Sequence, residues 1–228
     1  MRKYGFLKHS LVDYPGEVCS VVFLPGCNFC CPYCHNKRLA TEVDQYGWTL
    51  GDILTYLQSA RSLVTAVCIT GGEPTLMPET LKYLLQSFKQ LGLKIKLDSN
   101  GSNPSVLKAL LPQVDYVAMD LKTSIERYGE LVCGKNLGIG EKIRSSMNLL
   151  MQRQESMYEF RTTLAWDFVD KNVIHALGRL LSSEAHWYLQ RCHEDEKTTD
   201  IQRVHEYQKI QECFEIAKMY TKSVFLRE

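Results

Sequence analysis

Short apolar runs alternate with amphipathic stretches along most of this chain, and the alternation limits the folds that it can adopt. The run from Val18 to Leu24 is apolar and rich in β-branched residues, and it stops at Pro25-Gly26, as a buried strand does before a loop. A second apolar run predicts a strand at 64–70. The continued alternation predicts four more strands, at Lys94–Asp98, Asp115–Met119, Tyr158–Leu164 and Trp187–Gln190. Helices are predicted at Thr49–Ser62, Pro78–Leu91, Pro104–Leu111, Glu141–Arg153 and Asn172–Ser182.

Strands that alternate with helices through short connections pair in parallel, because a right-handed crossover through a helix returns the next strand beside the last. Six such units are too few for a closed eightfold barrel. The pattern therefore predicts an α/β protein with a partial (β/α)6 TIM-like barrel. In such folds the chemistry gathers at the carboxyl ends of the strands.

Length and composition favour one soluble domain. The chain has 228 residues, 45% of them hydrophobic, so we expect a single domain over 1–228. Its core would span about 17–192, followed by a charged loop and a helix in 193–228, with the helix around Tyr207–Tyr220. The formal charge of +1 gives no sign of nucleic-acid binding. The start of the chain lacks the apolar core of a signal peptide and no run could span a membrane, so a cytoplasmic location is expected.

Four of the nine cysteines crowd into the loop after the first predicted strand. Cys27, Cys31 and Cys34 follow a Cys-x3-Cys-x2-Cys spacing, and three thiolates on an iron–sulfur cubane leave the fourth iron open to a substrate. Cys30 permits a second interpretation, because Cys27-x2-Cys30 and Cys31-x2-Cys34 also resemble the pairs of a structural zinc site. Such pairs are normally a dozen or more residues apart, whereas adjacent Cys30 and Cys31 would point apart.

The loop from Gly26 to Asn36 resembles the cluster loop of radical S-adenosylmethionine (SAM) enzymes. Within them it is most similar to the activases of glycyl-radical enzymes, particularly those of anaerobic ribonucleotide reductase, and the similarity runs from about Gly5 to Gln190. Cys30 departs from this pattern, since the activases usually carry a basic or other non-cysteine residue there.

The resemblance implies a [4Fe-4S] cluster on Cys27, Cys31 and Cys34. At this cluster one electron would split SAM into methionine and a 5′-deoxyadenosyl radical, which would take a hydrogen from a glycine of a partner glycyl-radical protein. The electron would come from a reduced flavodoxin or ferredoxin-type donor. The cofactor carries this chemistry, so no catalytic side chain is expected beyond the cluster and SAM.

A Gly71-Gly72-Glu73 segment follows the second predicted strand. Paired glycines let backbone approach a ligand closely, and a carboxylate accepts hydrogen bonds from an ammonium group. By the resemblance, this segment contacts the amino end of the methionine part of SAM. Taken alone, the same residues could form an ordinary turn between a strand and a helix.

Two more polar segments follow the third and fourth predicted strands. They are Asp98-Ser99-Asn100-Gly101 and Asp120-Leu121-Lys122, which resemble segments of the glycyl-radical activases. By the resemblance, Asp98 and Lys122 hold the ribose or carboxylate of SAM, and Asp98, Ser99 and Asp120 could bind a monovalent cation. An Asn-Gly turn and a solvated charge pair are the structural alternatives.

Four residues near these segments have less certain roles. Tyr33 is predicted to pack against the adenine or the cluster, and His35 could donate a hydrogen bond to either. Arg161 and Arg191 could serve the site or only structural hydrogen bonds.

Two other functions remain open at this point. A small-molecule radical enzyme of the 7-deazaguanine synthase kind shares the short barrel of the activases. A zinc-stabilised binding module without catalysis would instead use the four clustered cysteines as ligands.

Overall fold

The computed structural model describes residues 3–34, 36–37, 47–134, 138–153, 157–192 and 200–227, with the backbone alone for 157 and 200–205. The predicted role of His35 and most of the predicted charged loop after Cys192 lie outside the described residues.

The described residues form nine strands and six α-helices, with three short 3-10 helices. The strands are β1 Lys3–Ser10, β2 Cys19–Leu24, β3 Trp48–Thr49, β4 Ala66–Gly71, β5 Lys94–Ser99, β6 Tyr116–Asp120, β7 Met157–Leu164, β8 His186–Arg191 and β9 Ser223–Arg227. The α-helices are α1 Leu50–Ser59, α2 Pro78–Gln90, α3 Pro104–Leu110, α4 Ile139–Met151, α5 Lys171–Gly178 and α6 Asp200–Lys218. The 3-10 helices are Pro74–Leu76, Leu111–Gln113 and Ile125–Leu131.

All strands belong to one sheet with the order β3-β1-β2-β4-β5-β6-β7-β8-β9. From β2 to β9 every neighbouring pair is parallel, whereas β1 pairs antiparallel with both β2 and β3. The edge strands β3 and β9 are not paired with each other in this sheet. The expected α/β fold with an open, partial barrel is therefore confirmed.

Local sequence explains where several helices begin. Thr49 caps α1: its hydroxyl accepts from the amide of Asp52, and its own amide donates to the carboxylate of Asp52, so two backbone N–H groups are satisfied. The carboxylate of Asp170 caps α5 by accepting a hydrogen bond from the amide of Val173, 2.9 Å away. Helices α2 and α3 each begin at a proline, whose missing N–H costs nothing in the first turn.

Alternate strand residues face two different interiors, as the period of two requires. One set, including Val22, Val67 and Ile95, packs with the helices in the larger hydrophobic core. The other includes Cys19 and Cys68, which face the inner side of the sheet and are completely buried. The sequence assigned these two cysteines the role of small buried hydrophobes, and their burial agrees with it.

Three strands were not predicted. β1 precedes the first predicted strand, β3 directly precedes α1, and β9 follows the final helix. Because β1 and β9 lie outside 17–192, the sheet extends beyond both limits of the expected core. The final helix was predicted at 207–220 and spans Asp200–Lys218. Within the described ranges, no helix has the length and apolar character needed to cross a membrane.

Candidate active site

The three predicted cluster ligands lie in the loop that follows β2, at the carboxyl end of the parallel strands. Cys31 is buried, and Cys27 and Cys34 are half-buried. The loop curls on itself, since the amide of Cys34 donates to the carbonyl of Cys31 at 3.1 Å. The amide of Phe29 points at Cys27 Sγ, 3.4 Å away. Across the described ranges no three histidine, cysteine or acidic side chains are already arranged around a metal position, so this ligand set remains a prediction.

Burial sets the protonation of the cysteines in this loop. Burial raises the pKa of Cys27 and of Cys31, and the ammonium group of Lys122 only partly opposes the rise. Thiols in such surroundings lose their protons readily only when a metal takes the resulting charge. The donor set of three sulfurs therefore fits an iron–sulfur cluster.

The paired glycines hold the cluster loop in place. The amide of Gly72 donates to Leu24 O and that of Glu73 to Gly26 O, both at 2.8 Å. A Cβ on Gly71 would lie 2.3 Å from Leu24 O, and one on Gly72 would lie 2.0 Å from Gly26 O. Only glycine permits so close an approach. The close approach expected of this segment is thus made to the backbone of β2 and the cluster loop.

Glu73 connects the ends of two strands from a completely buried position. Its carboxylate accepts from the amide of Asn100 at 2.6 Å, the hydroxyl of Ser99 at 2.9 Å and both the amide and the hydroxyl of Thr75. Burial raises the pKa of Glu73 despite these bonds. Because a carboxylate has about four acceptor positions, an ammonium group would have to displace one of these donors.

Asn100 links this strand end to the cluster loop, a role that the sequence did not reveal. Its side-chain amide donates to Asn28 Oδ1 at 2.9 Å and lies 3.9 Å from Cys27 Sγ. It stands inside the segment that the sequence singled out, but the prediction named only its neighbours Asp98 and Ser99. The only sign of this role in the sequence was the position of Asn100 within that segment, directly after Asp98 and Ser99.

Five charged side chains form a chain of ion pairs on the inner side of β5, β6 and β7. Lys96 contacts Asp98. Arg161 bridges the two carboxylates, with Nη1 3.0 Å from Asp98 Oδ2 and Nε 2.9 Å from Asp120 Oδ1. Lys122 Nζ lies 3.0 Å from Asp120 Oδ2. This group, which we call the Arg161 network, contains three cations and two anions.

The pKa values in the Arg161 network follow from its pairing. Burial by itself would raise the pKa of Asp120, but Arg161 and Lys122 outweigh it and hold the value at about 2. Burial likewise opposes ionisation of Asp98, and Arg161 with Lys96 lowers its pKa. Both carboxylates are therefore charged at neutral pH and the network carries one excess positive charge. Both are also already paired with cations, so the predicted monovalent cation would have to share them and stays a prediction.

Tyr33 brings an unsatisfied polar atom to the same place. Its ring packs against Phe168 with centroids 5.7 Å apart, and its hydroxyl is buried without a partner among the described residues. Burial raises the pKa of Tyr33, against the nearby charge of Lys122. A buried hydroxyl without a hydrogen bond is costly, which makes this atom a candidate for contact with a ligand.

The two remaining sequence candidates are now separated. Arg161 pairs with Asp98 and Asp120, two of the predicted site residues. Arg191 instead pairs with Glu206 of α6, with Nη2 2.8 Å from Oε2, which fastens that helix to the end of β8. Cys30 is bonded to Cys133 in this structure, so here it does not serve as the fourth thiolate of the alternative zinc site on Cys27, Cys30, Cys31 and Cys34.

Comparison with known proteins agrees with this arrangement. The profile of the Radical SAM superfamily matches residues 21–145, which is more than half of the chain and includes the cluster loop, the paired glycines and Lys122. The chain belongs to the Radical SAM superfamily. Iron–sulfur binding is typical of this superfamily, and membership implies a [4Fe-4S] cluster and SAM as cofactors.

Three relatives differ in how much of this radical SAM protein they match. A protein of Methanocaldococcus jannaschii, provisionally named a glycyl-radical enzyme activating enzyme, is 29% identical over 98% of this chain and 94% of its own length. The pyruvate formate-lyase-activating enzyme of Clostridium pasteurianum is 31% identical over 49% of this chain and 48% of its own. The 7-carboxy-7-deazaguanine synthase of Haemophilus influenzae is 36% identical over 42% of this chain and 40% of its own.

Solved structures share the fold. Streptococcus suis SuiB bound to the precursor peptide SuiA matches with a TM-score of 0.61 at 17% identity, over 91% of this chain and 48% of that one. A domain of a pyruvate-formate lyase-activating enzyme from Bacteroides vulgatus matches with a TM-score of 0.52 at 20% identity, over 72% of this chain and 99% of that one.

Proposed function

We propose that this radical SAM enzyme is an activase, which cleaves SAM reductively and takes a hydrogen from a glycine of a glycyl-radical protein. The observation that carries the proposal is the likeness to the Methanocaldococcus protein over nearly the whole of both chains. The proposed target is anaerobic ribonucleotide reductase or a related glycyl-radical enzyme. The motifs around Cys27–Asn36 favour the reductase.

The loop after β2 would hold the cluster through Cys27, Cys31 and Cys34. When bound, the cluster and SAM supply the electron and the 5′-deoxyadenosyl group that this chemistry needs. The protein positions them and keeps water away. The fully buried Glu73 and the paired glycines fix the cluster loop against the ends of β2, β4 and β5, and this fixed geometry is what orientation requires.

The Arg161 network would receive the polar part of SAM. Its excess positive charge suits the carboxylate of the methionine moiety. Lys122 is the cation of the network whose charge acts on both Cys31 and Tyr33. Asp98, Asp120 and Ser99 shape this end of the site through their hydrogen bonds, and a hydroxyl of the ribose could replace one of them. Tyr33, with its unpaired hydroxyl, would contact SAM or the cluster.

The proposed partner is a protein chain that presents a glycine to the open side of the partial barrel. The SuiB structure contains a bound precursor peptide, so one protein of this fold accommodates a peptide. Reduced flavodoxin or a ferredoxin-type protein is the proposed electron donor.

A direct test mixes the reconstituted, reduced protein with SAM and a purified anaerobic ribonucleotide reductase, and looks for a protein-bound radical by electron paramagnetic resonance. We expect a glycyl doublet that requires both proteins and is absent with the Cys31→Ala variant. Formation of 5′-deoxyadenosine without any radical on this or another glycyl-radical protein would reject the activase assignment while leaving SAM cleavage intact.

A second candidate is a small-molecule radical enzyme of the 7-carboxy-7-deazaguanine synthase kind. The 36% identity over 42% of the chain favours it, although that match covers less than half of each protein. Incubation of the reduced protein with SAM and candidate small-molecule substrates distinguishes it. A 7-carboxy-7-deazaguanine product would support this candidate, and a glycyl radical on a partner protein without that product would reject it.

A further inference from the structure

Cys30 and Cys133 form a pair that the proposed radical chemistry does not use. Cys30 lies between two predicted cluster ligands, and Cys133 lies 103 residues further along the chain in the connection between β6 and α4. Their sulfurs are bonded, with the Cα atoms 5.4 Å apart, within the usual range for a disulfide. Neither residue is a predicted ligand, so the pair is a second sulfur site beside the cluster loop.

Backbone contacts hold the two cysteines together whether or not their sulfurs are joined. Phe29 and Val132 form an isolated antiparallel bridge. On either side of it, the amide of Cys30 donates to Leu131 O at 2.8 Å and the amide of Cys133 donates to Asn28 O at 3.0 Å. The reduced thiols would therefore stay close to each other, and closing the bond needs no rearrangement of the chain.

Both members of the pair are exposed, in contrast to the other cysteines. Cys30 and Cys133 face solvent, whereas Cys19, Cys68 and the remaining cysteines of the described residues are buried or half-buried. Small thiols and disulfides can thus reach this pair. Exchange proceeds by attack of a thiolate on an accessible disulfide sulfur through a mixed disulfide, so access decides which bonds are labile.

We propose that Cys30 and Cys133 are a reversible thiol–disulfide exchange site whose reaction partner is a small organic disulfide. In the forward direction the two thiols give up two electrons and two protons, and the bond between Cys30 and Cys133 forms. The sulfur–sulfur bond of the organic disulfide breaks, and it leaves as two thiols. The closed form ties the cluster loop covalently to the segment that begins with Lys122, and excess thiol opens it again.

The test equilibrates the cluster-loaded protein, without oxygen, in buffers with different ratios of reduced to oxidised glutathione. Free thiols are then trapped with an alkylating reagent and the peptides are analysed by mass spectrometry. We expect the ratio of protein joined through Cys30 and Cys133 to open protein to be proportional to the concentration of oxidised glutathione divided by the square of the concentration of reduced glutathione. Cys19 and Cys68 serve as internal standards that stay unmodified until the protein is denatured.

The Cys133→Ser variant is the matched control. With its partner removed, Cys30 should form only a mixed disulfide, seen as the addition of one glutathione. The ratio of this mixed disulfide to free thiol should be proportional to the first power of the oxidised-to-reduced glutathione ratio. Two fully alkylated cysteines at every ratio, or a bond from Cys30 to Cys27, Cys31 or Cys34, would overturn the proposal.

A second readout tests the mechanical consequence. Closing the bond should slow the removal of iron by a chelator from the wild-type protein several-fold, because the cluster loop is then held at both ends, and should leave the Cys133→Ser variant unchanged. Equal rates for the open and closed wild-type forms would show that the bond does not restrain the loop.

Discussion

Strand β7 directs two charged side chains, Glu159 and Arg161, to the same inner side of the sheet, and their surroundings differ. The carboxylate of Glu159 receives both Nη atoms of Arg227 at 2.8 Å and the hydroxyl of Tyr116 at 2.7 Å. The ring of Tyr188 stacks under the Arg227 guanidinium at 3.7 Å. This group is electrically balanced and connects β9 to β7 and β6. We call it the Glu159 group.

The Arg161 network, two residues further along, is not balanced. It holds three cations and two anions, and the unpaired hydroxyl of Tyr33 is close enough to Lys122 for the charge to act on it. A closed, satisfied group is what a structural role requires, whereas excess charge and an unsatisfied hydroxyl are typical of a binding site. Buried charge alone therefore does not identify a binding site. The balance of charges and the hydrogen-bond partners of each buried group have to be examined as well.

The largest effect is expected in the cluster loop beside the Arg161 network. Cys31→Ala should abolish assembly of the cluster, because two thiolates cannot hold it in place of three, whereas Cys30→Ala should retain it. Iron and sulfide content and visible absorption after anaerobic reconstitution measure this difference. Retention by Cys31→Ala together with loss by Cys30→Ala would reverse the ligand assignment.

Arg161→Met should destabilise the protein by about 1.5–3 kcal/mol, since Asp98 and Asp120 lose their shared hydrogen-bonding cation while each keeps one lysine. It should also weaken SAM binding, because the Arg161 network loses its excess positive charge. Denaturant unfolding of the cluster-free protein and calorimetric titration with SAM measure the two effects. Arg161→Lys is the matched control, which keeps the charge but cannot reach both carboxylates equally. Unchanged SAM binding in the folded Arg161→Met protein would contradict a role in the site.

Glu159→Gln should cost about 1.5–3 kcal/mol of stability through the weakened bonds to Arg227 and Tyr116, while SAM binding by the folded protein stays as in the wild type. If Arg161→Met and Glu159→Gln weaken SAM binding to the same extent, the assignment of a binding role to the Arg161 network and a structural role to the Glu159 group is wrong. Measurements well below the midpoint of thermal unfolding keep the two effects apart.

The smallest effect is a pH dependence. The pKa of Asp120 is lowered to about 2 in the folded protein, so its contribution to stability is complete above the unfolded value near 4 and is lost as pH falls towards 2. Its size is at most about 2 kcal/mol, because the side chain is partly exposed. The difference in unfolding free energy between wild type and Asp120→Asn should be constant above about pH 5 and shrink below it. A difference that grows on acidification would contradict the assigned pairing.

Much of the fold was predictable because β2, β4 and β6 are largely apolar, buried runs. β5, β7 and β8 also contain charged residues, and their place between predicted helices indicated them. β1 and β9 escaped prediction because they lie at the margins of the sheet and their side chains are mixed in polarity, as in Lys3–Ser10 and Ser223–Arg227. No apolar run marks such strands, and pairing with β2 or β8 supplies their stability.

The site was predictable as a set of segments more than as a set of contacts. Spacing and motif identified the loop of Cys27–Cys34 and the segments at Gly71, Asp98 and Asp120. The sequence could not show that Glu73 is saturated by its own protein or that Arg161 bridges two carboxylates. These facts depend on which residues face each other across neighbouring strands, and the pairing register that decides it is set by the whole sheet.

The central claim is that the loop after β2 and the Arg161 network act together as one site that cleaves SAM. The most direct measurement is the formation of 5′-deoxyadenosine by anaerobically reconstituted, reduced protein supplied with SAM. We predict 5′-deoxyadenosine and methionine in equal amounts from the wild type and neither from Cys31→Ala. A wild-type protein that assembles a full cubane cluster and still leaves SAM intact would contradict the account.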